Sequence, residues 1–355
     1  MSQSYFLGYN SADGFVSLFN ELYDPYDGWT LYIIKGGPGT GKSTLMKKLC
    51  EKADKRGVEY EKIYCSSDPN SLDGAIFNEL KIAIADGTPP HILEPKFPGA
   101  VEHLITLNNY WDKDVLKKNR EEIIKYSTLI SAEHAKCVRY IKAGQIIQSE
   151  ISRTVLNNTD TAKLKRFILR EMRKNASETN IDSTPVIKTR LIDALTPNGI
   201  VFHKDSLYDQ CDDITVFKDD YSVLAPIIID ELVSFYSRQR KDIIKCKSFI
   251  DPLNTCEHII MPELRKAYVT DNYGFNIDTD NKYIHTSRFY KNMTAGERET
   301  LNSALKAKIN ALDTASEHLK KAKELHDKLE SYYIEAMNFE ELNEYTDSVI
   351  KMILE

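Results

Sequence analysis

Residues 31–49, LYIIKGGPGTGKSTLMKKL, lead from an apolar segment through a glycine-rich loop into an amphipathic helix, and this stretch decides the fold class. Leu31, Tyr32, Ile33 and Ile34 make a nearly unbroken apolar run, as a central parallel strand covered on both faces requires. Leu45, Met46, Leu49, Cys50 and Ala53 recur at helical spacing, so the segment after the loop lays one face on that sheet. Between the two, Gly36, Gly41, Lys42 and Ser43 satisfy G-x-x-x-x-G-K-S/T without a gap.

Each residue type in the loop answers a separate chemical need. Gly36, Gly39 and Gly41 let the backbone take positive φ and approach an anion with no Cβ in the way. Successive N–H groups then point at phosphate oxygens, helped by the positive end of the new helix. Gly36, Gly37, Pro38, Gly39, Thr40, Gly41, Lys42, Ser43 and Thr44 are therefore the candidate nucleotide-binding segment. Lys42 is expected to reach the β- and γ-phosphates and the Ser43 hydroxyl to ligate Mg²⁺. The alternative, a glycine-rich turn that binds nothing, leaves the coincidence of strand, loop, Lys-Ser and helix unexplained.

At 355 residues the chain is long enough for two or more cores. Its net charge of −6 implies no global attraction to nucleic acid or to an anionic membrane, although local basic patches are compatible with it. Cys50, Cys65, Cys137, Cys211, Cys246 and Cys256 are scattered without C-x-x-C pairs, which points to reduced thiols in a cytoplasmic protein rather than a disulfide or zinc framework. No signal peptide opens the chain, and no apolar run of about 18 residues predicts a membrane span.

Before the loop, residues 1–30 predict a short apolar stretch, a turn at Asp13-Gly14 and a short helix. After the loop helix, Gly57 predicts a left-handed cap. A strand over about 59–65 then ends in the polar loop SSDPNSLDG, and a helix is expected from about residue 73. Ile82, Ala83, Ile84 and Ala85 follow as an apolar run ending in Asp86, the pattern of a Walker B strand whose carboxylate holds Mg²⁺. An apolar run closed by Asp-Gly is also how many strands turn. Asp73 and Asp68 are the competing carboxylates, and His91 is either a phosphate-orienting group or a packed side chain.

From about residue 113 to 178 the chain is charged, almost free of Gly and Pro, and apolar at helical spacing, which predicts a helical hairpin. Its last helix is basic through Lys163, Lys165, Arg166, Arg170, Arg173 and Lys174. That face is either solvated or a lid over a phosphate or nucleic acid. SETNIDSTP, ending at Pro185, is the best linker.

The chain beyond this linker repeats the first half. DGFV at Gly14 matches NGIV at Gly199, LYIIK matches ITVFK ending at Lys218, and Glu79-Leu80-Lys81 matches Glu263-Leu264-Arg265. Lys35 lies 33 residues before Asp68-Pro69, and Lys218 lies 33 before Asp251-Pro252. These matches predict an internal duplication. Against KGGPGTGKST the second copy has KDDYSVLAPI: Asp219 and Asp220 replace Gly36 and Gly37, Leu224 replaces Gly41, Ala225 replaces Lys42, and Pro226 replaces Ser43. Two carboxylates there are expected to repel phosphate. Asp251 persists in this degenerate copy, so Asp68 is expected to cap a turn. Asp73 falls opposite Thr255 or Cys256 and Asp86 opposite Thr270, with Asp271 matched instead by a one-residue shift; divergence favours both, Asp86 first, as chemical residues.

FLGYNSADGFVSLF, IIKGGPGTGKSTLMKKL, CSSDPNSLDG and ADGTPPH together resemble a family of bacterial P-loop ATPases built from two related halves, over essentially the whole chain. The resemblance implies ATP binding through Gly36 to Thr44 and hydrolysis, without naming a substrate. Members can carry a P-loop in each half, so the lost motif at Asp219 to Pro226 is a departure. The expected architecture is α/β: a P-loop NTPase-like parallel sheet, duplicated, each half followed by a helical hairpin. The expected segments are 1–112, 113–185, 186–290 and 291–355. The expected function is a Mg-dependent ATPase whose nucleotide state moves helical segments or a protein partner. A small-molecule kinase and a nucleotide-gated scaffold are the alternatives.

Overall fold

The computed structural model describes residues 2–175, 185–251, 255–277, 282–291 and 293–354; the expected linker SETNIDST and the partner proline of Asp251 lie outside them. The first half runs β1 (Ser2–Phe6), β2 (Gly8–Ser11), β3 (Gly14–Ser17), β4 (Thr30–Lys35), α1 (Lys42–Arg56), β5 (Tyr60–Tyr64), β6 (Leu72–Phe77), β7 (Ile82–Asp86), β8 (Glu102–Thr106), α2 (Lys113–Lys118), α3 (Arg120–Asn157) and α4 (Thr161–Lys174). The second runs β9 (Ile187–Arg190), β10 (Asp193–Thr196), β11 (Gly199–Phe202), α5 (Lys204–Gln210), β12 (Asp213–Lys218), α6 (Leu224–Arg238), β13 (Ile243–Lys247), β14 (Cys256–Met261), β15 (Lys266–Asp271), β16 (Lys282–His285), α7 (Ala295–Glu335) and α8 (Phe339–Leu354).

The two sheets have the same order, β1-β5-β6-β7-β4-β8 and β9-β13-β14-β15-β12-β16, so the halves are duplicates in topology. Each is mixed rather than parallel, because β6 runs antiparallel to β5 and β7, and β14 does the same between β13 and β15. The helix expected from residue 73 is therefore a strand. All six residues of LDGAIF are buried, which leaves no polar face for a helix to turn outward. Lys81 at φ 52 and Arg265 at φ 46 end the matching turns that send each chain back into its sheet.

Strand alternation divides the core into layers. Ile33, Ile63, Ile76 and Ala83 meet Val216, Ile244, Ile260 and Val269, so the sheets pack face to face. On the outer face of the first sheet, Ile34, Phe77 and Ile84 take Leu45 and Leu49 of α1 together with Ile350 and Ile353 of α8. On the outer face of the second, Phe217, Ile259 and Tyr268 take Ile228 and Leu232 of α6 with Leu164 and Phe167 of α4. The order across the molecule is helix, sheet, sheet, helix, and each half's closing helix covers the other half's sheet.

Backbone hydrogen bonds repeat this exchange at equivalent positions. Asp112 N–H donates to Ala336 O and Lys291 N–H to Asn158 O, both at 2.7 Å; Asn338 N–H donates to Tyr110 O at 2.9 Å and Asp160 N–H to Phe289 O at 2.8 Å. The equivalent residues Phe6 and Leu191 exchange both backbone bonds with each other, at 2.8 and 3.1 Å, which places a pseudo-twofold axis between them. The expected separate hairpins are thus corrected: α3 pairs antiparallel with α7, Tyr126 beside Tyr332 and Gln148 bonded to Lys308. A helix of 38 residues spans about 57 Å, and α4, with 14 residues and about 21 Å, is too short to cover it. The 41 residues of α7 match it. All six cysteines are free, and among the described residues no helix is long and apolar enough to cross a membrane.

Candidate functional site

Strand β4 carries the glycine-rich loop at its C-terminal end, between the parallel strands β7 and β8. Ile34 pairs with Asp86, so that carboxylate stands at the end of the neighbouring strand. Gly39 (φ 68) and Gly41 (φ 79) turn the loop in the left-handed region that other residues resist; Gly36, expected to do the same, does not, and a Cβ there would come within 2.5 Å of Thr40 Oγ1. Helix α1 begins directly at Lys42 with no side chain capping it and no acid in its first turn. The N–H groups that open it donate to no side chain among the described residues, and its positive dipole end adjoins the loop.

Lys42 folds back across the loop, donating to Gly36 O at 2.8 Å and Gly37 O at 2.7 Å, and its Nζ lies 3.5 Å from Asp86 Oδ2. Burial pushes the Asp86 carboxyl above the usual carboxylate range, against the pull of the Lys42 charge and the hydrogen bonds from Thr88. Those bonds, from the Thr88 N–H at 2.9 Å and hydroxyl at 2.6 Å, hold Oδ1 and leave Oδ2 toward the lysine. Buried Thr40 donates to Gly37 O at 2.9 Å, and Ser43 Oγ accepts from Leu72 N–H at 2.9 Å, tying α1 to β6. Pro38 is half-buried and Thr44 exposed.

Asp73 is placed differently from Asp86. It sits on a bulge of β6 where its Oδ2 meets His91 Nε2 at 2.9 Å, both side chains buried. His91 stacks on Phe19 at 4.6 Å and meets Phe15 edge-on, so it is a packed partner of Asp73. The same bulge in β14 carries Glu257, because the loop from β13 to β14 is one residue longer than its counterpart. This corrects the alignment of Asp73 with Thr255 or Cys256: an acid stands at that position in both halves, and divergence no longer singles it out. Strand register does set Asp86 opposite Thr270. Asp68 accepts from Asn70 N–H at 3.2 Å and Ser71 Oγ at 2.9 Å, and its counterpart Asp251 accepts from Thr255.

Helix α7 supplies groups that no local pattern announces. Glu330 Oε1 accepts from Gly39 N–H at 2.9 Å across 291 positions of sequence. A Cβ on Gly37 would come within 3.0 Å of Trp111 and 3.3 Å of Tyr333, so the loop lies against that helix. Asn108 accepts from Gly37 N–H at 3.2 Å. His326, Asp327 and Glu330 cluster on the same stretch, within 4.8 Å of one another.

In the second half the equivalent loop is closed from within. Asp220 is exposed, whereas Asp219 is fully buried and turned onto the helix: Oδ2 accepts from Val223 N–H at 2.9 Å and Ala225 N–H at 2.8 Å, and Oδ1 accepts from the Thr286 hydroxyl at 3.0 Å. A carboxylate of the chain thus satisfies the donors at the start of α6. Lys218 pairs with Asp271.

No family model, curated protein or solved structure matches the chain.

The chemistry therefore rests on the contrast between the two halves. The second loop closes the start of its helix with its own Asp219, while the first leaves the start of α1 uncapped beside Lys42 and Asp86 and meets Glu330 at Gly39. The basic helix α4 packs on α6 and the second sheet, with Lys163 bonded to Arg288 O, and forms no lid over the first loop.

Proposed function

We propose that the first half binds one ATP with Mg²⁺ at the glycine-rich loop and hydrolyses it. The observation that carries this is the uncapped start of α1, with Lys42 beside it, against the start of α6 closed by Asp219. The resemblance of the loop to two-half bacterial P-loop ATPases supports ATP as the nucleotide. Loop amides and Lys42 bind and orient the phosphates. Ser43 and Asp86 are the residues to hold Mg²⁺, which supplies charge neutralisation at the phosphates. The buried pairing of Asp86 with Lys42 fits that role, because one acid balances one cation before the nucleotide arrives.

Phosphate taking the Gly39 N–H displaces the Glu330 carboxylate, so the nucleotide state reaches α7. That helix also passes through the second half, where Lys308 bonds to Gln148 of α3. Movement of the paired long helices is the proposed output, toward a protein partner.

Calorimetric titration with a non-hydrolysable ATP analogue, together with phosphate release from Mg-ATP, tests the proposal. One nucleotide per chain is expected, with affinity at least tenfold weaker in Lys42→Ala, about 1.4 kcal/mol or more. No binding, two sites per chain, or unchanged affinity in Lys42→Ala would sink it.

A further inference from the structure

The second half buries more acid than its neighbours satisfy. Asp193, opening β10, is 0% exposed, and Glu257, on the β14 bulge, is 2% exposed. A carboxylate oxygen from each lies within 4.8 Å of the other and of a ring nitrogen of His258. His258 does not neutralise them. Thr270 N–H donates to its Nδ1 at 3.1 Å, which leaves the ring proton on Nε2, facing Asp193 Oδ1 at 3.3 Å. A ring committed in this way is a donor that orients Asp193, and it has no lone pair to offer at Nε2.

Asp193 Oδ2, Glu257 Oε2 and Asn272 Oδ1 are among the buried oxygens that have no hydrogen-bond partner among the described residues. Asn272 Nδ2 donates to Ser222 Oγ at 2.9 Å and to Glu257 Oε1 at 3.5 Å, so the amide stands beside the cluster with its own Oδ1 unpartnered. The buried ammonium of Lys308 bonds to Gln148 at 2.9 Å and lies 5.3 Å from the Tyr273 ring centroid, but it forms no ion pair with either acid among the described residues. Ser248 hydrogen-bonds to Glu257 and Lys308 attracts it without contact, so two buried carboxylates share one distant cation.

The first half shows what changed. Hairpin register makes Gly8 the counterpart of Asp193, and a Cβ on Gly8 would come within 2.3 Å of the His91 ring. In the first half that space holds an imidazole, paired with Asp73; in the second it holds a carboxylate beside Glu257. The degenerate half has exchanged a proton donor for a second acid.

We propose that the second half holds a hard divalent cation, of the Mg²⁺, Mn²⁺ or Ca²⁺ class, on Asp193 Oδ2, Glu257 Oε2 and Asn272 Oδ1. Carboxylate and amide oxygens without sulfur or an available imidazole select that class of ion. The site is separate from the first-half loop and does not depend on nucleotide binding there. Its role is to join β10, the β14 bulge and the loop after β15 beneath α7. The competing occupant is a proton on Glu257, whose carboxyl burial and the nearby Asp193 hold above its ordinary range.

Metal analysis by plasma mass spectrometry, on full-length protein purified without nucleotide and desalted into metal-free buffer, separates the two. About one divalent cation per chain is expected in the wild type and in Asp86→Asn, falling at least tenfold in Glu257→Gln. Less than about a tenth of an ion per chain in the wild type overturns the proposal, as does equal metal content in Glu257→Gln or its loss in Asp86→Asn. If Glu257→Gln does not fold, Asn272→Ala replaces it, and wild type refolded with a chelator is expected to melt lower and to recover when Mn²⁺ is added. Identical melting with and without Mn²⁺ counts against the site.

Discussion

Replacing Asp219 with Ala removes the internal anion from the start of α6 and tests whether it stabilises the second half. The side chain accepts three hydrogen bonds, from Val223 N–H, Ala225 N–H and the Thr286 hydroxyl. A hydrogen bond to a charged group contributes about 1.5–3 kcal/mol. Burial works in the opposite direction, lifting the Asp219 carboxyl above the usual range against the pull of those same donors. Loss of the cap, with two buried N–H groups left without an acceptor, sets the net cost at about 3 kcal/mol. At about 2.1 cal/mol/K of unfolding entropy per residue, 355 residues give about 0.75 kcal/mol/K, so Tm should fall by about 4 °C. Scanning calorimetry reads this directly. Sulfate should raise the Tm of the variant more than that of the wild type, because a tetrahedral anion can take the vacated donors. A drop under about 1 °C would show that Asp219 is not the anion of that helix, and an equal sulfate response in the two proteins would refute the anion-seat argument.

Asp86→Asn should suppress phosphate release while leaving Tm within a few degrees of wild type, and Asp68→Asn should lower Tm with modest effect on turnover per folded molecule; the opposite ranking reverses the roles given to them. Glu330→Ala frees the Gly39 N–H and removes a like charge from the phosphate seat, so ATP should bind at least about threefold tighter by calorimetry, and weaker binding would mean that Glu330 assists the nucleotide. Acid should loosen the contact between the halves at Glu61, which accepts from Arg190 Nε at 2.8 Å. Burial alone would raise this carboxyl, but Arg190 and Lys188 hold it down, from the ordinary 4.5 to about 2. A depressed carboxylate contributes stability that is complete above about pH 4.5 and is lost as pH falls through 2. At about 1.36 kcal/mol per unit this is about 3 kcal/mol, and Glu61→Gln should flatten that arm of the stability curve in denaturant titrations across pH 2–5.

The candidate site was legible where its parts are close in sequence. Strand, loop, Lys42 and helix lie within residues 31–49, and Asp86 ends an apolar run whose strand adjoins the loop strand. Asp73 misled because a single extra residue before β14 hid its true counterpart, Glu257. Glu330 left no signal, since one glutamate on a charged helix looks like any other until α7 is laid against Gly39.

The sequence by itself determined the glycine-rich loop, the repeat and the loss of the loop chemistry in the second copy, because each is written in residue identity and short spacing. Tertiary structure alone decided that the sheets face each other, that α4 and α8 exchange halves, and that α3 pairs with α7. An amphipathic helix specifies that it must bury an apolar face, not which sheet supplies the surface. In a duplicated chain both sheets offer nearly the same one, so only the lengths and connections of the folded elements settle the choice.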